Sequence, residues 1–225
     1  MIQENLQDIR SALRQEAEEA GRDPSEVKLI AVSKTKPIDA VREAMAAGQL
    51  DFGENRVQEL VAKHEEIPNA QWHMIGVLQR NKVKYIAPFI HLIHSVSSEK
   101  LLVEVNKQAA KFERKIDCLL QVNISDEEQK GGMTENEVET ILANIEEYPE
   151  VRIKGLMGMA EFTHDEEVID RQFARLQTAF DGFKKHNGPQ IEMQELSMGM
   201  SGDYPIAIRR GATLVRIGSA IFGRR

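Results

Sequence analysis

The chain has 225 residues, 41% of them hydrophobic and 29% charged, a balance near the soluble globular average that excludes collagen-like, low-complexity and intrinsically disordered classes. Its 29 Lys and Arg against 36 Asp and Glu give a formal charge of −7, the wrong sign for coating a duplex, so nucleic acid is not an expected partner. The one cysteine, Cys118, excludes an intrachain disulfide and any Cys/His zinc spacing; with no apolar stretch of spanning length either, the expectation is a cytoplasmic protein without a membrane span.

Ile2, Leu6, Ile9 and Leu13 recur at helical spacing and mark the apolar face of an opening helix that Gly21 can end. Short β-branched runs then alternate with amphipathic segments. The strand candidates are KLIAVSK from Lys28, DFGEN from Asp51, QWHMIG from Gln71, IHLIHSV from Ile90, IDCLLQVNI from Ile116, VRIKGLMGM from Val151, IEMQELSMG from Ile191 and TLVRIG from Thr213. Helices are expected over Ile38–Ala47, Arg56–His64, Ser98–Phe112, Glu135–Glu147 and Glu166–His186. This alternation predicts an α/β fold, a single (β/α)8 TIM-type barrel with an additional N-terminal helix, spanning 1–225 as one domain. Chemistry then belongs on the loops leaving the C-terminal strand ends. An open doubly wound sheet is the alternative, but no G-x-G-x-x-G or P-loop follows any strand.

The segment LIAVSKTKP ends a buried strand in a lysine. Strand alternation puts Ile30, Val32 and Lys34 on one face, so Lys34 is expected at the barrel's upper rim, where partial desolvation favours a neutral, nucleophilic amine. Lys36 shares the parity but lies in the turn before Pro37 and ranks below it. By spacing alone, a structural or solvated lysine is the commoner reading. Near the C-terminus, Ser197, Gly199 and Ser201 are read as one hydroxyl/glycine turn and Gly218 with Ser219 as another, a pattern that suits a phosphate after strands seven and eight but equally suits simple chain reversal. Together with Lys34 they suggest an aldehyde-bearing phosphate.

AVSKTKP, FGEN-VQE, HMIG-LQ-NK, VNIS, GLMGM, LSMGMS-D and VR-G-IFG, in this order and over almost the whole length, resemble the pyridoxal phosphate homeostasis protein family. The resemblance implies a barrel similar to the N-terminal domain of alanine racemase, with pyridoxal 5′-phosphate held as an internal aldimine on Lys34. It further implies Ser201 at the phosphate, with backbone around Gly218 and Ser219 completing the anion cup, Arg216 facing the pyridine nitrogen, and Asn55 and Met157 as ring neighbours. A guanidinium keeps that nitrogen unprotonated, which makes the cofactor a poorer electron sink. Lys130 matches a family lysine considered a secondary aldehyde-reactive position, although the loop holding Glu127, Glu128 and Lys130 reads more simply as a solvated charged loop. The run with Arg80, Lys82 and Lys84 reads as a basic rim or a solvated helix face.

Alanine racemase-like enzymes take a tyrosine base from a second domain. With the chain ending at Arg225, that domain is expected to be absent, and none of Tyr85, Tyr148 and Tyr204 falls in a matching segment. The expectation is therefore a non-enzymatic binding and homeostasis protein, monomeric, which buffers free cofactor and delivers it to apo-enzymes. A weak amino-acid racemase or decarboxylase is the alternative, and a lysine-dependent aldolase acting on a phosphosugar comes third. His64, His73, His91, His94, His164 and His186 read as scattered, with His91 and His94 on opposite strand faces, so no metal site is expected. Cys118 reads as a buried inert thiol, and Trp72 and the phenylalanines as core.

Overall fold

The structure is a computed structural model that describes residues 1–125 and 131–223. Eight parallel strands close into a barrel in sequence order: β1 (Lys28–Val32), β2 (Asp51–Glu54), β3 (Gln71–Met74), β4 (Leu92–Val96), β5 (Ile116–Gln121), β6 (Val151–Met157), β7 (Ile191–Met200) and β8 (Leu214–Ile217). Closure comes from β8 pairing with β1, in a register that sets Lys28 against Leu214 and Ala31 against Ile217. The near-continuous apolar runs suit such strands, which are covered on both faces. Their outward residues join the main core under the helices, where Phe52 and Trp72 pack with ring centroids 5.7 Å apart. Their inward residues include a separate buried cluster of Ile30, Leu92, Leu119, Met157 and Leu214 that fills the barrel.

The strands are joined by α2 (Ile38–Ala46), α3 (Val57–Glu66), a short α4 (Val83–Ile86), α5 (Glu99–Lys111), α6 (Glu135–Ala143), α7 (Glu166–Phe183) and α8 (Tyr204–Arg209), and α9 (Ser219–Phe222) follows β8. The expected N-terminal helix is α1 (Ile2–Glu19), which buries Leu6, Leu13 and Ala17. The long expected helices over 135–147 and 166–186 each end in a separate 3-10 turn. Among the described residues, no helix is long and apolar enough to cross a membrane.

The strand expected over IEMQELSMG runs one residue further than that, and the turn expected at Ser197 and Gly199 is not formed. β7 continues to Met200 through a register shift against β8, so Ser197 and Gly199 are strand residues and only Ser201 lies in the turn beyond. β6 and β7 also approach unusually closely at Gly155, whose φ is +149° and where a Cβ atom would stand 1.8 Å from the Glu195 carbonyl oxygen. Gly155→Ala is expected to destabilise the barrel by about 2–3 kcal/mol, through overpacking and a backbone region closed to alanine. A lowered urea midpoint with an unchanged slope is the measurement that checks it.

Candidate functional site

Beyond Val32 the chain turns sharply. The Lys36 N–H donates to the Ser33 carbonyl at 3.0 Å, Thr35 takes a positive φ of 63°, and its N–H donates to Glu59 Oε1 at 2.6 Å. Lys63 Nζ, on α3, braces this turn from beneath by donating to the Ser33 carbonyl, Glu54 Oε1 and Glu59 Oε1, each at 2.7 Å. The Ser33 hydroxyl donates to the same Glu54 oxygen at 2.6 Å. Glu54 is fully buried, and burial pushes its carboxyl above the usual carboxylate range against the pull of Lys63 and Ser33. A rigid ionic cluster thus carries the turn that presents Lys34.

Lys34 is half-buried and faces a cleft of about 510 Å³ at the C-terminal mouth of the barrel, which Asn55, Ser201, Arg216, Gly218 and Ser219 also line. Among the described residues it is the one lysine in that lining. Its neighbours are committed elsewhere. Lys36 Nζ donates to the carbonyls of Phe222 and Gly223 at 3.1 and 3.0 Å, and Lys63 is held as above. No hydrogen bond or ion pair engages Lys34 Nζ among the described residues, which singles it out physically where parity alone could only rank it.

In the same cleft, beyond β7 and β8, Ser201 and Ser219 bring their hydroxyl oxygens to 3.4 Å. Gly218 passes so close to β1 that a Cβ there would stand 2.9 Å from the Val32 carbonyl oxygen. The backbone N–H groups of Ser201, Gly202, Gly218 and Ser219 donate to no carbonyl among the described residues, so this wall offers four amides and two hydroxyls to an anion. Asp203 Oδ1 fixes the turn by accepting from the Met200 N–H at 2.5 Å. Burial raises the Asp203 carboxyl above its ordinary range.

Arg216 is 4% exposed and donates from Nη1 to Ser197 Oγ at 2.5 Å and from Nη2 to the Gly158 carbonyl at 3.2 Å. Burial pulls its pKa down to about 10, which still leaves it cationic and donor-only at neutral pH. Met157 is not among the cleft residues. It lies one layer lower, fully buried in the barrel's inner cluster, and Met159, two residues on, is the methionine that lines the cleft. Glu127, Glu128 and Lys130 lie outside the described residues. Arg80, Lys82 and Lys84 do not line the cleft; Lys82 and Lys84 sit over the Tyr85 ring, 5.6 and 5.0 Å from its centroid. Cys118 is fully buried, and burial raises its thiol pKa far above the ordinary value, as befits an inert group.

Three of the six histidines are not scattered. Beneath Arg216, Ser197 Oγ lies 2.8 Å from His94 Nδ1, His94 Nε2 lies 2.9 Å from His73 Nδ1, and His73 Nε2 lies 3.0 Å from Asp51 Oδ1. His91 does not point away, because it precedes β4 rather than belonging to it. Its ring centroid lies 5.1 Å from that of His73, the same separation as between His73 and His94. A polar chain therefore runs through the barrel from the cleft to the N-terminal end of β2. Its sequence signal is a polar residue at the inward position of an otherwise apolar strand, recurring in β2, β3, β4, β7 and β8.

Residues 4–225 match the family described as alanine racemase, N-terminal domain. The chain is 40% identical over 231 residues to the pyridoxal phosphate homeostasis protein of Vibrio alginolyticus, covering all of this chain and 97% of the relative. It is likewise 40% identical over 233 residues to that of Escherichia coli strain K12, again with all of this chain and 97% of the relative covered. Among solved structures, PipY of Synechococcus elongatus with PLP bound superposes with a TM-score of 0.86 at 36% identity, covering 99% of this chain and 100% of that one. Alanine racemase from Bartonella henselae, at 16% identity with a TM-score of 0.70 and 58% of that chain covered, shares the fold.

Proposed function

As this chain belongs to the pyridoxal phosphate homeostasis protein family, we propose that it binds pyridoxal 5′-phosphate in the cleft around Lys34 and serves as a reservoir for it. The observation that carries this reading is the amine of Lys34, uncommitted among the described residues and lining one cleft with a wall of backbone amides and paired hydroxyls that make no bond to a carbonyl there. An amine and anion donors in one cleft fit a ligand with an aldehyde and a phosphate. The cofactor supplies that aldehyde, with which Lys34 forms a reversible covalent bond. Ser201, Ser219 and the backbone of Gly218 take the phosphate, and Asn55 and Arg216 flank the ring. Met157 supports the ring from beneath through the inner cluster.

The protein's role is capture and release rather than turnover. Arg216 is pinned by Ser197 and Gly158 and can only donate, so as partner of the ring nitrogen it leaves that atom unprotonated. Enzymes that build carbanions on this ring commonly place a carboxylate there instead. Recipients of the released cofactor are apo-enzymes that use it, and the chain acts as a cytoplasmic monomer.

The test is to load the purified protein with pyridoxal phosphate, reduce it with borohydride and locate the phosphopyridoxyl group by mass spectrometry. In parallel, unreduced protein is assayed for transfer to an apo-enzyme and for α-proton exchange on a panel of amino acids in heavy water. The expected result is modification of Lys34, with transfer and without exchange. Modification of Lys36 instead would overturn the site, and Lys34-dependent exchange would make the protein an amino-acid racemase or decarboxylase.

A further inference from the structure

At the other end of the barrel, remote from the cleft, three metal-ligating groups converge. One ring nitrogen of His73, one of His91 and one carboxylate oxygen of Asp51 all lie within 4.8 Å of one another, and His73 Nε2 stands 3.0 Å from Asp51 Oδ1. We propose that Asp51, His73 and His91 form a binding site for a divalent transition metal of the zinc type, with a fourth position open to water.

Each residue contributes something different to such a site. His73 is 2% exposed and is oriented by its second nitrogen, which faces His94 Nε2 at 2.9 Å. His94 is itself fixed by Ser197 at 2.8 Å. Metal-ligating histidines characteristically hand their other ring N–H to an acceptor in this way, which fixes the tautomer and aims the ligating nitrogen. When the Nε2 lone pair of His73 serves a metal, its proton resides on Nδ1 and is donated to His94 Nε2. His94 then donates from Nδ1 to Ser197 Oγ, an oxygen with lone pairs for both His94 and Arg216. The contacts from His73 to His94 and from His94 to Ser197 are therefore kept with the metal in place.

His91 is exposed at the start of β4, and Asp51 opens β2 with a partly exposed side chain, so an ion can enter from solvent. A tetrahedral zinc with bonds of about 2.0–2.1 Å needs its ligand atoms roughly 3.4 Å apart. Rotation of the exposed His91 side chain supplies the remaining closure. The nearby charges do not block the cation: Lys28 is paired with Glu195 at 2.7 Å, and Asp117 is paired with Arg152 at 2.6 Å. Two imidazoles and one carboxylate select zinc, cobalt or nickel over magnesium, which demands oxygen ligands and octahedral geometry.

This inference is independent of the cofactor reading, and so is its test. Tag-free protein as purified is titrated with Co²⁺, and the visible d–d absorption of the ion is followed, then challenged with Zn²⁺ and with Mg²⁺. One equivalent of Co²⁺ is expected to bind per chain, displaced by Zn²⁺ and not by Mg²⁺. His91→Ala, at an exposed position, is expected to weaken binding at least about 100-fold, the upper end of what losing even an outer partner costs, with the melting temperature unchanged; Asp51→Asn weakens it in the same direction. Absence of Co²⁺ bands at millimolar ion, or a His91→Ala variant that binds as the parent does, would overturn the proposal.

Discussion

Lys34→Ala is expected to abolish the thermal stabilisation conferred by saturating pyridoxal phosphate while leaving the ligand-free protein's melting temperature within about 2 °C of its original value. The first half follows from linkage. A ligand at about a thousand times its dissociation constant stabilises the folded state by about 4.1 kcal/mol, and at about 2–4 °C per kcal/mol for a chain of this size the shift is roughly 8–16 °C. The second half follows from the position of Lys34, half-buried on a turn with no bond from its Nζ to lose among the described residues, so truncation costs no more than about 0.5 kcal/mol. Lys36→Ala is the matched control. Its Nζ tethers the carbonyls of Phe222 and Gly223, so this variant is expected to lower the ligand-free melting temperature slightly and to keep the ligand-induced shift. Differential scanning calorimetry of the two variants, with and without cofactor, checks both halves. A full ligand-induced shift in Lys34→Ala would remove Lys34 from the site.

The prominence of Lys34 was legible because parity in a parallel barrel is strict. Ile30 faces the barrel interior, and Val32 and Lys34, two and four residues on, line the cleft, although β1 itself stops at Val32. The strand stops there because the Lys36-to-Ser33 hydrogen bond and the positive φ of Thr35 replace ladder pairing, and a non-glycine residue at positive φ leaves no mark in residue type. What made Lys34 distinct from Lys36 was the arrangement of the C-terminal carbonyls, a tertiary fact. The eight strands were legible from their β-branched runs, β7 to within one residue of its end, whereas Ser197 and Gly199 also read as turn, and only the register shift against β8 keeps them within the strand. Met157 lies buried in the inner cluster, and Met159, two residues on, lines the cleft. The polar chain was within reach, because Asp51, His73, His94, Ser197 and Arg216 all occupy inward positions of their strands. Reading the histidines by their separation in sequence, rather than by strand parity across neighbouring strands, hid it.

Lys63→Met is expected to be the most damaging substitution near the cleft, lowering stability by about 3–5 kcal/mol and the melting temperature by roughly 6–20 °C. Lys63 is 6% exposed and Glu54 fully buried, and the lysine's donation to Glu54, Glu59 and the Ser33 carbonyl is what compensates the buried carboxylate. Methionine fills similar space but leaves Glu54 ionised beside Glu59 with only the Ser33 hydroxyl to offset it. The loss is therefore expected to depend on pH in a definite direction. Burial already raises the Glu54 carboxyl above the usual carboxylate range, with Lys63 opposing that rise, and removing Lys63 raises it further. An acid whose folded-state pKa lies above its unfolded value contributes stability that is fully present below the unfolded value and is lost as pH rises through the folded one. The deficit of Lys63→Met is thus smaller at pH 5 than at pH 8, because acid favours the neutral form of the orphaned Glu54. Urea midpoints of the variant and its parent at both pH values read this out, and parallel pH profiles would show that Glu54 is not the group left uncompensated. Adding Glu54→Gln is expected to restore most of the lost stability, because it neutralises the orphaned charge without emptying its place. The double variant still lacks the Lys63 contact to the Ser33 carbonyl, so its Lys34 turn is less firmly held, and the cofactor-induced thermal shift is expected to recover less completely than the stability does.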